Sequence, residues 1–165
     1  IEASETNFIR FIDAYLAALP LEMAASARVL PGVPGLLADL AKRTDCAQGL
    51  LTGNLRRGAE LKLSVHGLWG FFPFGAFADD AELRDELGPH ALRRAKERHG
   101  VDFPPERTWI VGDTPHDIAC ARAIGARSLA VATGGYSSEA LAAHRPTALL
   151  PDLADPDAFW HALLA

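Results

Sequence analysis

The chain has 165 residues, 49% of them apolar and 22% charged, with a formal net charge of −5. That is enough for one domain with a sizeable core, and the acidic balance gives no reason to expect nucleic-acid binding. No apolar run is long enough to span a bilayer.

The opening residues, Ile1-Glu2-Ala3-Ser4-Glu5, resemble neither a signal peptide nor a natural start, which would carry Met. Phe8, Phe11, Ile12, Tyr15, Leu16 and Leu19 then recur at helical spacing. Ser4 or Thr6 is placed to cap this helix, and Pro20 to end it. The turn-rich run Leu30-Pro31-Gly32-Val33-Pro34-Gly35 leads into a second helix over 36–43. From there the pattern alternates. A buried strand is expected over 46–52, a helix over 55–65, and a short strand among the aromatics of 71–77. A helix over 89–99 stops at Gly100. A strand over 108–112 precedes a helix over 116–124, closed by Gly125. A strand over 127–132, a short helix over 138–143, a short strand over 148–150 and a helix over 156–164 complete the chain. Strands alternating with helices imply an α/β fold, a parallel sheet with helices on both faces. Ligands of such sheets bind beyond the carboxyl ends of the strands. Cys46 and Cys120 both sit in apolar stretches, where buried free thiols are expected, as suits a reducing cytoplasm.

Two strand ends stand out. One is Trp109-Ile110-Val111-Gly112-Asp113-Thr114-Pro115-His116-Asp117, where an apolar run stops at Gly-Asp and a second carboxylate follows four residues later. Thr114, Pro115 and Asp117 have a purely local explanation as N-cap, first helical residue and acidic member of a capping box. Asp113 has no part in that cap. Two carboxylates at the end of a buried strand repel unless something positive lies between them, and a hard divalent cation such as Mg²⁺ meets that need. One carboxylate can also serve both the helix end and the metal.

The other strand end is Gly49-Leu50-Leu51-Thr52-Gly53-Asn54. A hydroxyl, a glycine and an amide at a strand-to-helix corner suit a phosphoryl group, although Asn54 could equally be an N-cap. Arg84 lies after a short strand and before a helix, within reach of the same rim or simply in solvent. Arg56, Arg57 and Lys62 read as surface charges. The stretch from Leu68 to Phe74 reads as core, although if exposed it could be an interface. The six histidines form no metal-binding pattern, and His116 reads as a solvated helix-start residue.

These corners, in this order, resemble the haloacid dehalogenase (HAD) superfamily, in particular its phosphoglycolate-phosphatase-like branch. The resemblance runs over nearly all the chain from Leu30 onward. Leu51-Thr52-Gly53-Asn54 is similar to the second motif, whose Thr binds the transferring phosphoryl group. Val111 to Asp117 is similar to the fourth, whose acidic residues hold Mg²⁺. Arg84 stands in the region where the third motif supplies a Lys. The turn at Leu30 looks like the family's re-entry from a helical cap. The resemblance thus implies a three-layer Rossmann-like core over 30–165, preceded over 1–29 by the tail of a cap. It assigns Thr52 and Arg84 as catalytic, Thr52, Gly53, Asn54 and Arg84 as phosphate-binding, and Asp113 and Asp117 as metal-binding, with Mg²⁺ as cofactor. The expected partner is a small phosphorylated metabolite, not nucleic acid or membrane. The expected protein is cytoplasmic and a monomer or homodimer.

One family feature is absent. The first motif, Asp-x-Asp-x-(Thr/Val), supplies the nucleophile and the general acid/base from a central strand upstream of the cap. No segment of this chain substitutes for it. The expectation is therefore a longer protein in which an upstream segment brings the nucleophile. That protein would be a Mg²⁺-dependent phosphatase working through an aspartyl-phosphate. Two rivals remain: a non-catalytic fragment or pseudoenzyme that only binds, and a metal-independent dehalogenase of the same fold. A nucleotide-binding Rossmann domain is disfavoured because no Gly-x-Gly-x-x-Gly follows any strand.

Overall fold

The computed structural model describes residues 5–164. Helix α1 spans Glu5–Ser26 and runs through Pro20, where the sequence pattern ended it. Proline removes one backbone donor and crowds the preceding turn. Here it is exposed to water, which can satisfy the freed carbonyl, and the helix formers Leu21, Glu22, Met23 and Ala24 follow it. Thr6 lies inside the helix and not at its cap, while Ser4 and the Phe8 side chain fall outside the described residues. Of the expected apolar stripe, Leu16 and Leu19 are buried and Phe11 is exposed.

The remaining elements follow the expected alternation: α2 (Val33–Lys42), β1 (Leu50–Leu51), α3 (Arg56–Ser64), β2 (Gly75–Ala76), α4 (Leu87–His99), β3 (Trp109–Gly112), α5 (Pro115–Ala123), β4 (Arg127–Val131), α6 (Ser138–Ala143), β5 (Ala148–Leu150) and α7 (Pro156–Leu164). Every strand pair is parallel. The strand expected over 46–52 forms a ladder only at its last two apolar residues. Its partner β2 is equally short, held between the turn at Trp69–Phe71 and the Asp79-Asp80 turn. Helix α4 starts two residues before Pro89, which then sits in the first turn, where no backbone donor is needed.

The three layers follow from the period-two alternation of the strands. Trp109, Leu129, Val131, Ala148 and Leu150 face Leu36 of α2 and Phe159 and Trp160 of α7. Ile110 points the other way, onto Cys120 and Ala121 of α5, and Leu51 of β1 joins that cluster. Ala130 and Leu149 meet Ile118 of α5 and Leu141 of α6. Helix α1 rests on α3, where Tyr15 and Leu16 pack against Gly58.

The strands form two ladders, ordered β1-β2 and β3-β4-β5. Among the described residues β1 and β3 each pair on one side only. The consequence is visible on β3. Val111 is 41% exposed, although its ladder partner Leu129 is fully buried.

Between β2 and α4 the main tie is ionic. Arg94 donates to both oxygens of Asp80, at 2.6 and 2.7 Å, and to the carbonyl of Gly75, while Asp80 also accepts the Phe77 N–H. The Arg94 guanidinium holds the Asp80 carboxyl below the usual carboxylate range, against the opposing effect of burial. A carboxylate with a lowered folded-state pKa stabilises the fold above its unfolded value and ceases to do so as pH falls through the folded one. Urea unfolding should therefore show stability dropping below about pH 4, and Asp80→Asn should flatten that acid limb. An unchanged slope in the variant would assign the acid sensitivity to other carboxylates.

Cys120 is a fully buried free thiol whose pKa is pushed up by that burial, and Cys46 is half-buried. No helix among the described residues is long and apolar enough to cross a membrane.

Candidate active site

Strand β3 delivers Asp113 to the carboxyl edge of the sheet, and α5 begins two residues later. Thr114 is the N-cap in extended conformation, and its backbone N–H and hydroxyl both donate to Asp117 Oδ2, at 3.1 and 2.7 Å. The capping box foreseen in the sequence is therefore present. Asp117 is only 4% exposed. Its other oxygen, Oδ1, accepts from Arg84 Nη2 at 2.5 Å. Both oxygens of Asp117 thus already have donors from the protein. Gly112 is needed for this arrangement, since a Cβ there would collide with the Asp117 carboxylate.

Asp113 is different. It is half-buried and, among the described residues, makes no hydrogen bond or ion pair. Its Oδ2 lies over Gly134, in space that the Cβ of any other residue would take. A carboxylate held in a fitted space at a strand end, with no cation of its own, suits a hard divalent ion. Mg²⁺ commonly takes one or two carboxylates and keeps several waters. Among the described residues no group of three or more His, Cys, Asp or Glu side chains stands together. Among the described residues there is thus no fully protein-built cage, and the donors present would suit a hard divalent ion that keeps most of its waters.

The second corner is at the end of β1. The ladder extends one hydrogen bond further, from Thr52 N to Ala76 O, before the chain turns. Thr52 Oγ1 accepts from Asn54 N at 3.2 Å and from Asn54 Nδ2 at 2.9 Å. Asn54 Oδ1 in turn accepts from Lys62 Nζ at 2.8 Å. Lys62 was expected to be a surface charge; it is half-buried and braces this corner. Asn54 precedes the helix cap and Lys62 stands in the last turn of α3, so helical spacing alone does not announce the contact. Arg56 and Arg57 are exposed, as expected.

Arg84 joins the two corners. While Nη2 holds Asp117, Nη1 lies 3.5 Å from where a Cβ of residue 53 would stand. Its Nε is buried without a hydrogen-bond partner. The structure thus gathers Thr52, Gly53, Asn54, Arg84 and Asp117 along one rim, with Asp113 at the head of the turn that carries Asp117. His116 is exposed at the start of α5. The aromatics expected to be core are only partly so. Leu68 is buried, whereas Trp69, Phe72 and Phe74 line an open cavity of about 380 Å³ with Phe77, Arg56, Arg94 and Arg98. None of the six candidate site residues borders that cavity.

Comparison with known proteins points to hydrolases of the HAD type. A family model described as HAD-hydrolase-like matches residues 86–156. The pyrophosphatase PpaX of Bacillus pumilus is 31% identical over 107 residues, covering 65% of this chain and 48% of that protein. The phosphoglycolate phosphatase of Synechococcus elongatus is 30% identical over 128 residues, covering 78% of this chain and 57% of that one. The chain therefore spans about half the length of the relatives it matches. Among solved structures, a predicted phosphoglycolate phosphatase from Haemophilus somnus superposes with a TM-score of 0.73 at 19% identity, covering 96% of this chain and 69% of the other. At that identity the likeness is one of fold.

Proposed function

We propose, from the premise that this chain belongs to the haloacid dehalogenase superfamily of hydrolases and to its phosphoglycolate-phosphatase-like branch, that it carries most of the active site of a Mg²⁺-dependent phosphatase for small phosphorylated metabolites. The observation that carries this reading is the contrast at the rim. Arg84 Nη1, beside Gly53, has no acceptor among the described residues, while Asp113 is a carboxylate without a cation. An anion and a divalent ion together answer both.

In this reading Thr52 donates its hydroxyl hydrogen to a phosphoryl oxygen. The backbone N–H groups at Gly53 and Asn54 face the same group. Arg84 neutralises charge that develops as the phosphorus is attacked. Asp113 would hold the metal, and Asp117 would support it through water while orienting Arg84. Bound there, Mg²⁺ supplies Lewis-acid polarisation of a phosphoryl oxygen. The attacking group would be an aspartate on a strand fitting between β1 and β3: its carboxylate oxygen bonds to phosphorus as the bond from phosphorus to the ester oxygen breaks and the alcohol leaves, and water then cleaves the aspartyl-phosphate to release phosphate and restore the carboxylate. The one-sided pairing of those strands and the exposure of Val111 support that placement. Residues 1–29 would then be the tail of a cap over the 30–165 core.

The test is hydrolysis of small phosphomonoesters by the whole protein, with and without EDTA. Turnover that EDTA abolishes and Mg²⁺ restores is expected. Turnover indifferent to EDTA would overturn the metal-dependent reading, and halide release from a haloacid in place of phosphate release would favour the dehalogenase. Mg²⁺ or phosphate binding without turnover would make the protein a binding module.

A further inference from the structure

We propose that Lys62 is a positioning residue that fixes the direction of the Thr52 hydroxyl hydrogen, and so decides whether Thr52 can donate to a phosphoryl oxygen; this rests on the reading of Thr52 as a phosphate ligand. Lysine is a donor only, with no acceptor to offer. The Asn54 amide atom 2.8 Å from Lys62 Nζ must therefore be the oxygen. The amide nitrogen then faces Thr52 Oγ1, 2.9 Å away. The backbone N–H of Asn54 approaches the same oxygen at 3.2 Å. A hydroxyl oxygen has two lone pairs and one hydrogen. With both lone pairs taken by Asn54, the hydrogen must point away from Asn54, toward the opening of the corner.

Nothing else explains Lys62 so well. It forms no ion pair with a carboxylate among the described residues, and its partner is a neutral amide. Without Lys62 the amide is free to rotate by half a turn. Its oxygen would then face Thr52 and capture the hydroxyl hydrogen. The hydroxyl would present only lone pairs to an incoming phosphoryl group, an acceptor facing acceptors.

The experiment is a double-mutant cycle read by calorimetric titration with inorganic phosphate, using Thr52→Val, Lys62→Met and the double variant, with Lys62→Arg as rescue. Arginine is also donor-only and keeps the amide in place. Lys62→Met and Thr52→Val should each weaken phosphate binding about tenfold, the loss of one charge-assisted hydrogen bond. The double variant should bind no more weakly than Thr52→Val alone, and Lys62→Arg should bind like the parent. The Asn54 side-chain amide signals should also shift in Lys62→Met and not in Lys62→Arg. Losses that multiply in the double variant would show Lys62 acting as an independent charge and overturn the proposal. So would normal phosphate affinity in Lys62→Met when Thr52→Val is impaired. If Thr52→Val itself binds phosphate normally, the reading of Thr52 fails first and Lys62 with it.

Discussion

Asp113→Asn should reduce Mg²⁺-dependent turnover of the whole protein by roughly 10²–10³-fold or more, with almost no change in melting temperature. The two halves of this expectation have one cause. Asp113 makes no hydrogen bond or ion pair among the described residues, so an isosteric amide removes no structural contact. It removes only a negative charge, half-buried in the space over Gly134. In the proposed site that charge is what attracts the cation. Steady-state kinetics across a Mg²⁺ titration, beside thermal melts, reads both quantities. Parent-like kcat/KM at every Mg²⁺ concentration would remove Asp113 from the site. A large drop in melting temperature would show that the carboxylate has a structural role that the geometry does not suggest.

The alternation of strands and helices was legible because each core strand carries its own period. Trp109 and Val111 face one way and Ile110 the other. Boundaries were less legible where pairing sets them. Strand β1 has seven residues of strand-like sequence, but a ladder exists only where β2 lies beside it, at Leu50–Leu51. Pro20 was read by its local penalty alone, which an exposed position in a helix anchored by Leu16 and Leu19 can absorb.

The site divides along the same line. The Asp113-to-Asp117 corner and the Thr52-to-Asn54 corner were readable because each is contiguous in sequence. The capping box of Asp117 was readable from local spacing. Its other partner, Arg84, 33 residues away, was not. Lys62 was missed because its role passes through Asn54, eight positions back, and a charge on a helix surface is the ordinary expectation. Asp80 stands beside Asp79 in the loop after β2. Its bond to Arg94 is a tertiary contact that spacing alone does not announce.

Arg84→Met should cost about 3 kcal/mol of stability as well as phosphate binding, and the two losses should be separable. Asp117 stays buried in the variant, still bonded to Thr114, but its Oδ1 loses its donor. An uncompensated buried charge is the expensive part of breaking such a pair. Asp117→Asn in the same chain removes that charge while keeping an oxygen for the Thr114 N–H. The double variant Arg84→Met/Asp117→Asn should therefore recover much of the lost stability in urea unfolding. It should not recover phosphate affinity, because no guanidinium then stands beside Gly53. If phosphate binding returned with stability, Arg84 would be a strut for the α5 turn and the anion would be held by Thr52 and the backbone alone. If neither returned, the fold near Asp117 would depend on the ion pair itself. Only recovery of stability without recovery of binding separates the two roles of Arg84: holding Asp117 in place, and presenting its remaining donors to the anion.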